Sequence, residues 1–471
     1  MNTGSPFPAA ASSSASDETA AASGPAGRAA ILGWLLFDWA CQPFFTLVTT
    51  FVFAPYFAAA LAPDPVAGQS LWGFATAAAG LVLAVLSPVL GSIADATGPK
   101  KPWIAACGAV LFVSSWVLWH AAPGAPHAVA VALVGFAVGT VAVEVAAVFN
   151  NAMIPHLVPP ERFGRLSGTG WAIGYLGGLV SLVIVLGFLV ASPDTGRTVV
   201  GLQPLFGLDP GTRAGDRATG PFAALWFLVF ILPLFAFTPD LARSTLSPGG
   251  AVRQGLAQVR STLADAHRHP GLGRFLLANM VYQDGLVALF AFGGIYGAGV
   301  FGWGAVELGV FGILLTVTGT AGALIGGRLD DRFGAKPVIL GAVAILGLVC
   351  VGVLSLGRDH ILFVLPTAPA AGDGLYGSTP EKLFLALGLV IGSVAGPMQA
   401  SARSMLARLV PAREAGRYFG LLALSGKVTS FLAPLAVAVA TNLFATQAAG
   451  PAVLILFFLT GGWLLSGVRR V

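Results

Sequence analysis

Four ionisable side chains stand inside long apolar runs of this 471-residue sequence: Asp38, Glu144, Asp284 and Lys427. A charge at the centre of a membrane-spanning helix costs at least about 2.5 kcal/mol, so each must face other helices or water and find a partner. Two chemistries fit. A carboxylate deprived of water takes up a proton more readily, which suits a group that loads and releases protons in a transport cycle. Alternatively, Asp38 or Asp284 holds a permanent ion pair with Lys427 or Arg403 and ties helices together. Lys427 also suits the carboxylate of an amino acid or organic anion, and Glu144, near a helix end, reaches water.

Polar residues gather around these charges. Gln42 follows Asp38 by four residues and shares its helical face; Asn279, Tyr282 and Gln283 surround Asp284; Gln399 and Arg403 stand four apart. They are candidate solute contacts, with hydrogen bonding between helices as the alternative for each.

The elements that must position these residues are set by composition. Hydrophobic residues make up 56% of the chain and charged ones only 10%, more apolar surface than a soluble core needs. Twelve apolar runs of about 20 residues, the length that spans roughly 30 Å of hydrocarbon, fall near 31–58, 71–93, 103–121, 127–150, 168–191, 220–238, 272–300, 305–327, 337–356, 382–403, 416–440 and 450–467. Continuous runs exclude a β-barrel, whose strands alternate apolar and polar residues. The predicted fold is an all-α integral membrane protein of twelve transmembrane helices.

The net charge of +5 follows the membrane rather than a nucleic-acid face. With the N-terminus inside, only Arg197, Arg213, Arg217, Arg358 and Lys382 fall outside and Lys427 lies within a span; every other Lys and Arg is cytoplasmic. Both termini are therefore expected in the cytoplasm, with the protein in the cell's inner (plasma) membrane. Residues 1–28 read as a disordered tail without the apolar core of a signal peptide. Cys41, Cys107 and Cys350 lie in predicted helices as packing residues, and the six histidines lack metal-ligand spacing, so no metal or cofactor is expected. GLLALSGKV from Gly420 imitates a phosphate loop, but its glycines are one residue too far apart and Val428 replaces the Ser or Thr. With no nucleotide site and no catalytic triad, an enzyme is not expected.

The chain repeats itself. Gly91, Asp95, Gly98 and Lys100 after span 2 recur as Gly327, Asp331, Gly334 and Lys336 after span 8, and NAMIPHLVPPERFGR from Asn151 matches RSMLARLVPAREAGR from Arg403. The first pair is offset by 236 residues and the second by 252, which places 16 extra residues in the 357–381 loop. Two pseudo-symmetric six-helix halves follow, 29–238 and 271–471, joined by a cytoplasmic linker at 239–270, with a solute site between them near the midplane. Asp38 and Asp284 become repeat equivalents. The duplicated loop, Arg332 included, reads as a cytoplasmic gate in which Asp95 and Asp331 pair with basic residues and with helix N-terminal amides. Glycines at 170, 174 and 178, and at 388, 392 and 396, permit close packing within a monomer. Pro43, Pro88, Pro397 and Pro434 interrupt backbone hydrogen bonding and permit bends.

The duplicated G-x-x-x-D-x-x-G-x-K loop on a 6 + 6 layout resembles the signature of the major facilitator superfamily. FDWACQPFF, VFNNAMIPHLVP, YQDGLVALFAFGGIYGAGVFG and the stretch from Gly396 to Leu435 resemble its bacterial branch related to the autophagy-linked vacuolar amino-acid effluxers of fungi. That resemblance implies a central cavity lined by spans 1, 4, 7 and 10 and an amino-acid-like solute. The sequence departs from the branch at Cys41-Gln42-Pro43, where a small polar pair usually follows Asp-Trp-Ala, and at Gln283, where Asn is commoner. The expected function is secondary active transport of a small polar solute, coupled to protons, by alternating access. An uncoupled uniporter and a non-transporting receptor or scaffold on the same fold are the alternatives.

Overall fold

The computed structural model describes residues 27–63, 65–191, 195–242, 270–301, 303, 305–367, 376–411, 414–426, 432–444 and 448–468, with 249, 250, 253, 257 and 429 as single positions. The tail expected at 1–28 lies outside the described residues except at its last two positions, and the linker expected at 239–270 lies largely outside them.

Helices occupy every predicted span. They are α1 (Arg28–Pro43), α2 (Pro65–Thr97), α3 (Lys101–Val117), α4 (Ala128–Ala152), α5 (Phe163–Phe188), α6 (Ala214–Phe237), α7 (Pro270–Phe301), α8 (Ala305–Phe333), α9 (Ala335–Leu354), α10 (Thr379–Leu409), α11 (Ala415–Ser425), α12 (Leu432–Phe444) and α13 (Ala449–Ser466). Among the described residues nine helices are long and apolar enough to cross a membrane. The remaining predicted spans, 71–93, 272–300 and 416–440, fall on α2, α7 and the α11–α12 pair.

Two spans are less regular than their hydropathy suggests. The first is α-helical only to Pro43 and then winds as a π-helix over Phe44–Phe51. Proline lacks the N–H that would continue the ladder, so the chain takes a wider turn there. Thr49 and Thr50 donate their hydroxyls to the carbonyls of Phe44 and Phe45, five residues back. In the eleventh, the described residues form α11 and α12 with turns at Gly426 and Thr429 between them, and Pro434 lies within α12.

Packing follows the glycines. A methyl group added at Gly170 would stand 2.6 Å from Asp38 Oδ2 on α1, and one at Gly178 would clash with Thr46 of the π-helical stretch, so the 170/174/178 stripe of α5 is the seat of the first span. The stripe at 388 and 392 on α10 receives Phe311, Leu315 and Thr318 of α8. Between the halves, α5 packs along α8 and α2 along α11. These pairs exchange under the repeat (α5 with α11, α8 with α2), as a two-fold axis between the halves requires.

Candidate functional site

Arg403 organises the centre of the molecule. It extends from α10, in the second half, and its donors end on three helices of the first. Nε donates to Ser167 Oγ at 2.9 Å and Nη2 to the Ser167 carbonyl at 2.8 Å, both on α5. Nη1 donates to Asn151 Oδ1 at 3.0 Å, on α4, and stands 3.5 Å from Asp38 Oδ2 on α1. Trp34 and Trp171 approach the guanidinium with ring centroids 6.0 and 5.4 Å away. A planar fork with five donors suits such a junction; a lysine ammonium does not.

The Asn151 contact has a symmetry meaning. Asn151 and Arg403 are the first residues of the duplicated stretch, 252 positions apart, and they touch. Repeat equivalents in contact lie beside the axis that relates them. The same comparison separates the two aspartates: Asp38 meets Arg403, whereas the residue corresponding to Arg403 in the first half is Asn151, so Asp284 inherits no arginine. Asp284 is buried, and its Oδ1 has no hydrogen-bond partner among the described residues. The Thr429 hydroxyl stands close enough to interact with the Asp284 carboxylate.

The other candidates divide. Gln42 faces Gly174 of α5 beside Asp38. Gln283 Nε2 donates to Gln399 Oε1 at 3.3 Å, and Gln399 in turn approaches the Tyr175 hydroxyl, so α7, α10 and α5 are linked through polar side chains. Gln283 Oε1 is buried with no partner among the described residues. Asn279 and Tyr282 turn elsewhere: Tyr282 Oη donates to Asn279 Oδ1, and Asn279 Nδ2 donates to Ser425 Oγ on α11, both at 2.9 Å. They satisfy each other rather than opening toward Gln283. Glu144 is partly buried, and Cys41 lies within electrostatic range of both Asp38 and Glu144. Lys427 lies outside the described residues.

The duplicated loop builds the same turn twice. Gly98 and Gly334 have φ of 91° and 87°, and their N–H groups donate to the carbonyls of Ala94 and Asp330, four residues back. Only glycine takes that backbone cheaply at a helix end. Gly91 is buried near the end of α2, and Gly327 touches Gly164 and Gly168, so α5 and α8 meet almost backbone to backbone. Asp95 pairs with Lys100 of its own loop at 2.6 Å, while Asp240 accepts from the Lys100 and Lys101 amides at the start of α3. Asp331 instead crosses to the first half, accepting from the Arg165 amide in the first turn of α5 and standing 3.4 Å from its Nε. Lys336 donates to the Ser466 and Val468 carbonyls after α13, and Arg332 lies exposed over Phe333.

Sequence reasoning missed Asp330. It is fully buried, pairs with Arg408, accepts from Ser404, and packs against Gly164. Its signal was the doubled aspartate of LDDRFG, of which only the second matched the repeat. Because the Arg165 side chain is 62% exposed, the Asp331 pair contributes about 0–1 kcal/mol. Arg165→Gln, which removes that pair alone, is therefore expected to lower stability by no more than that amount, measured by thermal unfolding in nanodiscs beside the parent protein.

Residues 60–470 match the family model described as vacuole effluxer Atg22 like. The chain belongs to that family. This Atg22-like protein is 26% identical over 449 residues to the uncharacterized MFS-type transporter YxiO of Bacillus subtilis (strain 168), covering 92% of this chain and 94% of that one. It is also 26% identical over 286 residues to Autophagy-related protein 22 of Cryptococcus neoformans (serotype D, strain JEC21), a match covering 59% of this chain but only 46% of the fungal protein. In three dimensions it resembles the human organic anion transporter MFSD10, with a TM-score of 0.67 at 16% identity, covering 93% of this chain and 99% of that one. The fold is that of the major facilitator superfamily, and the protein is a multi-pass membrane transporter, not an enzyme.

Proposed function

We propose that this Atg22-like transporter moves a small polar solute of amino-acid type by alternating access, coupled to protons, with Arg403 as a clasp that must release when the duplicated-loop end opens. The supporting observation is the set of donors that Arg403 sends across the repeat axis to α1, α4 and α5. Polar contacts between halves are suited to this work because water replaces them when the halves part, whereas a welded apolar seam has no such substitute. The positive-inside distribution supports a cytoplasmic duplicated-loop end, and the bacterial relative supports the plasma membrane as its location. The solute class follows the family resemblance, and Gln42, Gln283, Gln399 and Tyr175 supply the neutral polar groups to receive it.

The two aspartates divide the labour in this reading. Asp38 belongs to the clasp. Asp284, buried without a cationic partner among the described residues, is the proton-loading group. Proteoliposomes with an imposed pH gradient, assayed against a panel of amino acids, test this. Asp284→Asn is expected to abolish gradient-driven accumulation while sparing solute exchange, and Asp38→Asn to impair both. Equal exchange and accumulation in the parent protein, indifferent to the gradient, would leave the uniporter.

A further inference from the structure

We infer that two apolar loop tips, one in each half, are seated in the membrane interface at the end of the bundle opposite the duplicated loops, with lipid as their partner. The first is the 199–206 segment between α5 and α6. The second is the tip, residues 362–364, of a hairpin formed by β1 (His360–Ile361) and β2 (Leu365–Pro366) between α9 and α10. Both lie outside the predicted spans, yet their side chains are large, apolar and uncovered. Val199 is 80% exposed, Phe206 90% and Val364 77%, and Leu362 and Phe363 are also exposed.

The backbone fixes their depth. The Val199 N–H donates to the carbonyl of Leu186, inside the last turn of α5. The Phe363 N–H donates to the carbonyl of Ser355, the residue that ends α9. Each tip is thus tied back to the level at which a membrane-spanning helix ends, where headgroups meet acyl chains. The exposed faces beside them continue the same apolar surface, with Val183 and Phe188 on α5 and Leu348 and Val351 on α9.

The choice of residue at the turns points the same way. Leu362, Phe363 and Phe206 have φ of 53°, 68° and 60°, a left-handed backbone that tight turns normally give to Gly, Asn or Asp. Bulky apolar side chains bear a steric penalty there, and exposure to water would add to it. An interfacial seat removes the second cost. Arg197 and Arg358 flank the tips, as basic residues do where an apolar segment meets headgroups.

The test places single cysteines at Phe206 and Phe363, labels them with an environment-sensitive nitrobenzoxadiazole dye in phosphatidylcholine nanodiscs, and compares quenching by lipid-borne nitroxide and by aqueous iodide. Glu161→Cys, exposed at the other end, is the solvated control, and the unmutated protein gives the background from Cys41, Cys107 and Cys350. Nitroxide placed near the headgroup is expected to quench both tips at least about threefold more than the control, with iodide quenching reduced. Iodide quenching equal to the control would show solvated tips and overturn the inference. Protection from both quenchers would show that protein, either the transporter's mouth or a second copy, covers them, and would overturn it as well. Should one cysteine variant fail to fold, Val199→Cys and Val364→Cys carry the same comparison.

Discussion

Arg403→Met is expected to remove about 3–5 kcal/mol from the closed conformation and to abolish gradient-driven transport, because it strips four donated hydrogen bonds and strands Asp38 without its cation. Ser167 and Asn151 lose their donors at the same time. Arg403→Lys retains the charge but not the fork, so it recovers only part of the loss. The pairing with Asp38 is isolated by a double-mutant cycle: Asp38→Asn combined with Arg403→Met should cost less than the sum of the single changes, since no buried charge is left unpaired. Thermal unfolding in nanodiscs reads the stability, and proteoliposome uptake reads the transport. Strict additivity would mean that the 3.5 Å approach carries no energy.

Gly168→Ala is the second large effect. Its new methyl group would stand 2.5 Å from the Ala323 carbonyl oxygen and 2.8 Å from Gly327 Cα, backbone atoms of α8 that no rotamer change can move away. Overpacking of this kind costs about 1–3 kcal/mol, and more where backbone must shift. Here the clash lies between the halves, so separating α5 from α8 relieves it without unfolding either half. The variant should keep its fold, populate a conformation open at the duplicated-loop end, and lose turnover. Gly187→Ala on the same helix is the matched control: nothing lies within 4 Å, so the change should be neutral or stabilise α5 by up to about 1 kcal/mol. Maleimide reactivity of a cysteine at Ser404, buried beside Asp330 in the closed form, separates the two, rising in Gly168→Ala and unchanged in Gly187→Ala.

Much of this architecture was legible in the sequence because membrane helices announce themselves by length and hydropathy, and because a duplicated chain labels its own symmetry. The glycine stripes were equally plain, since close packing demands small residues at fixed spacing. What they pack against was not, for spacing along one helix says nothing of its neighbour. Asn151, noted only as the start of a repeat, and Ser167 were not read as contacts of Arg403 for that reason: short polar residues are ordinary in helices, and only the fold brings them to Arg403 from 252 and 236 positions away. The π-helical stretch after Pro43 was hidden too, because hydropathy does not register how a backbone winds. Asn279 and Tyr282 clustered with Asp284 in the sequence, yet in the fold Tyr282 bonds Asn279 and Asn279 turns to α11.

The Arg403 clasp is expected to open in the working cycle, and one distance measures it directly. Spin labels at Glu161, just before α5, and at Arg332, near the end of α8, are both exposed and report separation of the halves by double electron–electron resonance in nanodiscs. Two populations are predicted, a short distance matching the closed arrangement and a longer one that grows with a mixture of the standard amino acids and dominates in Arg403→Met. A single short distance, unchanged by solute, by pH or by loss of Arg403, would contradict the clasp.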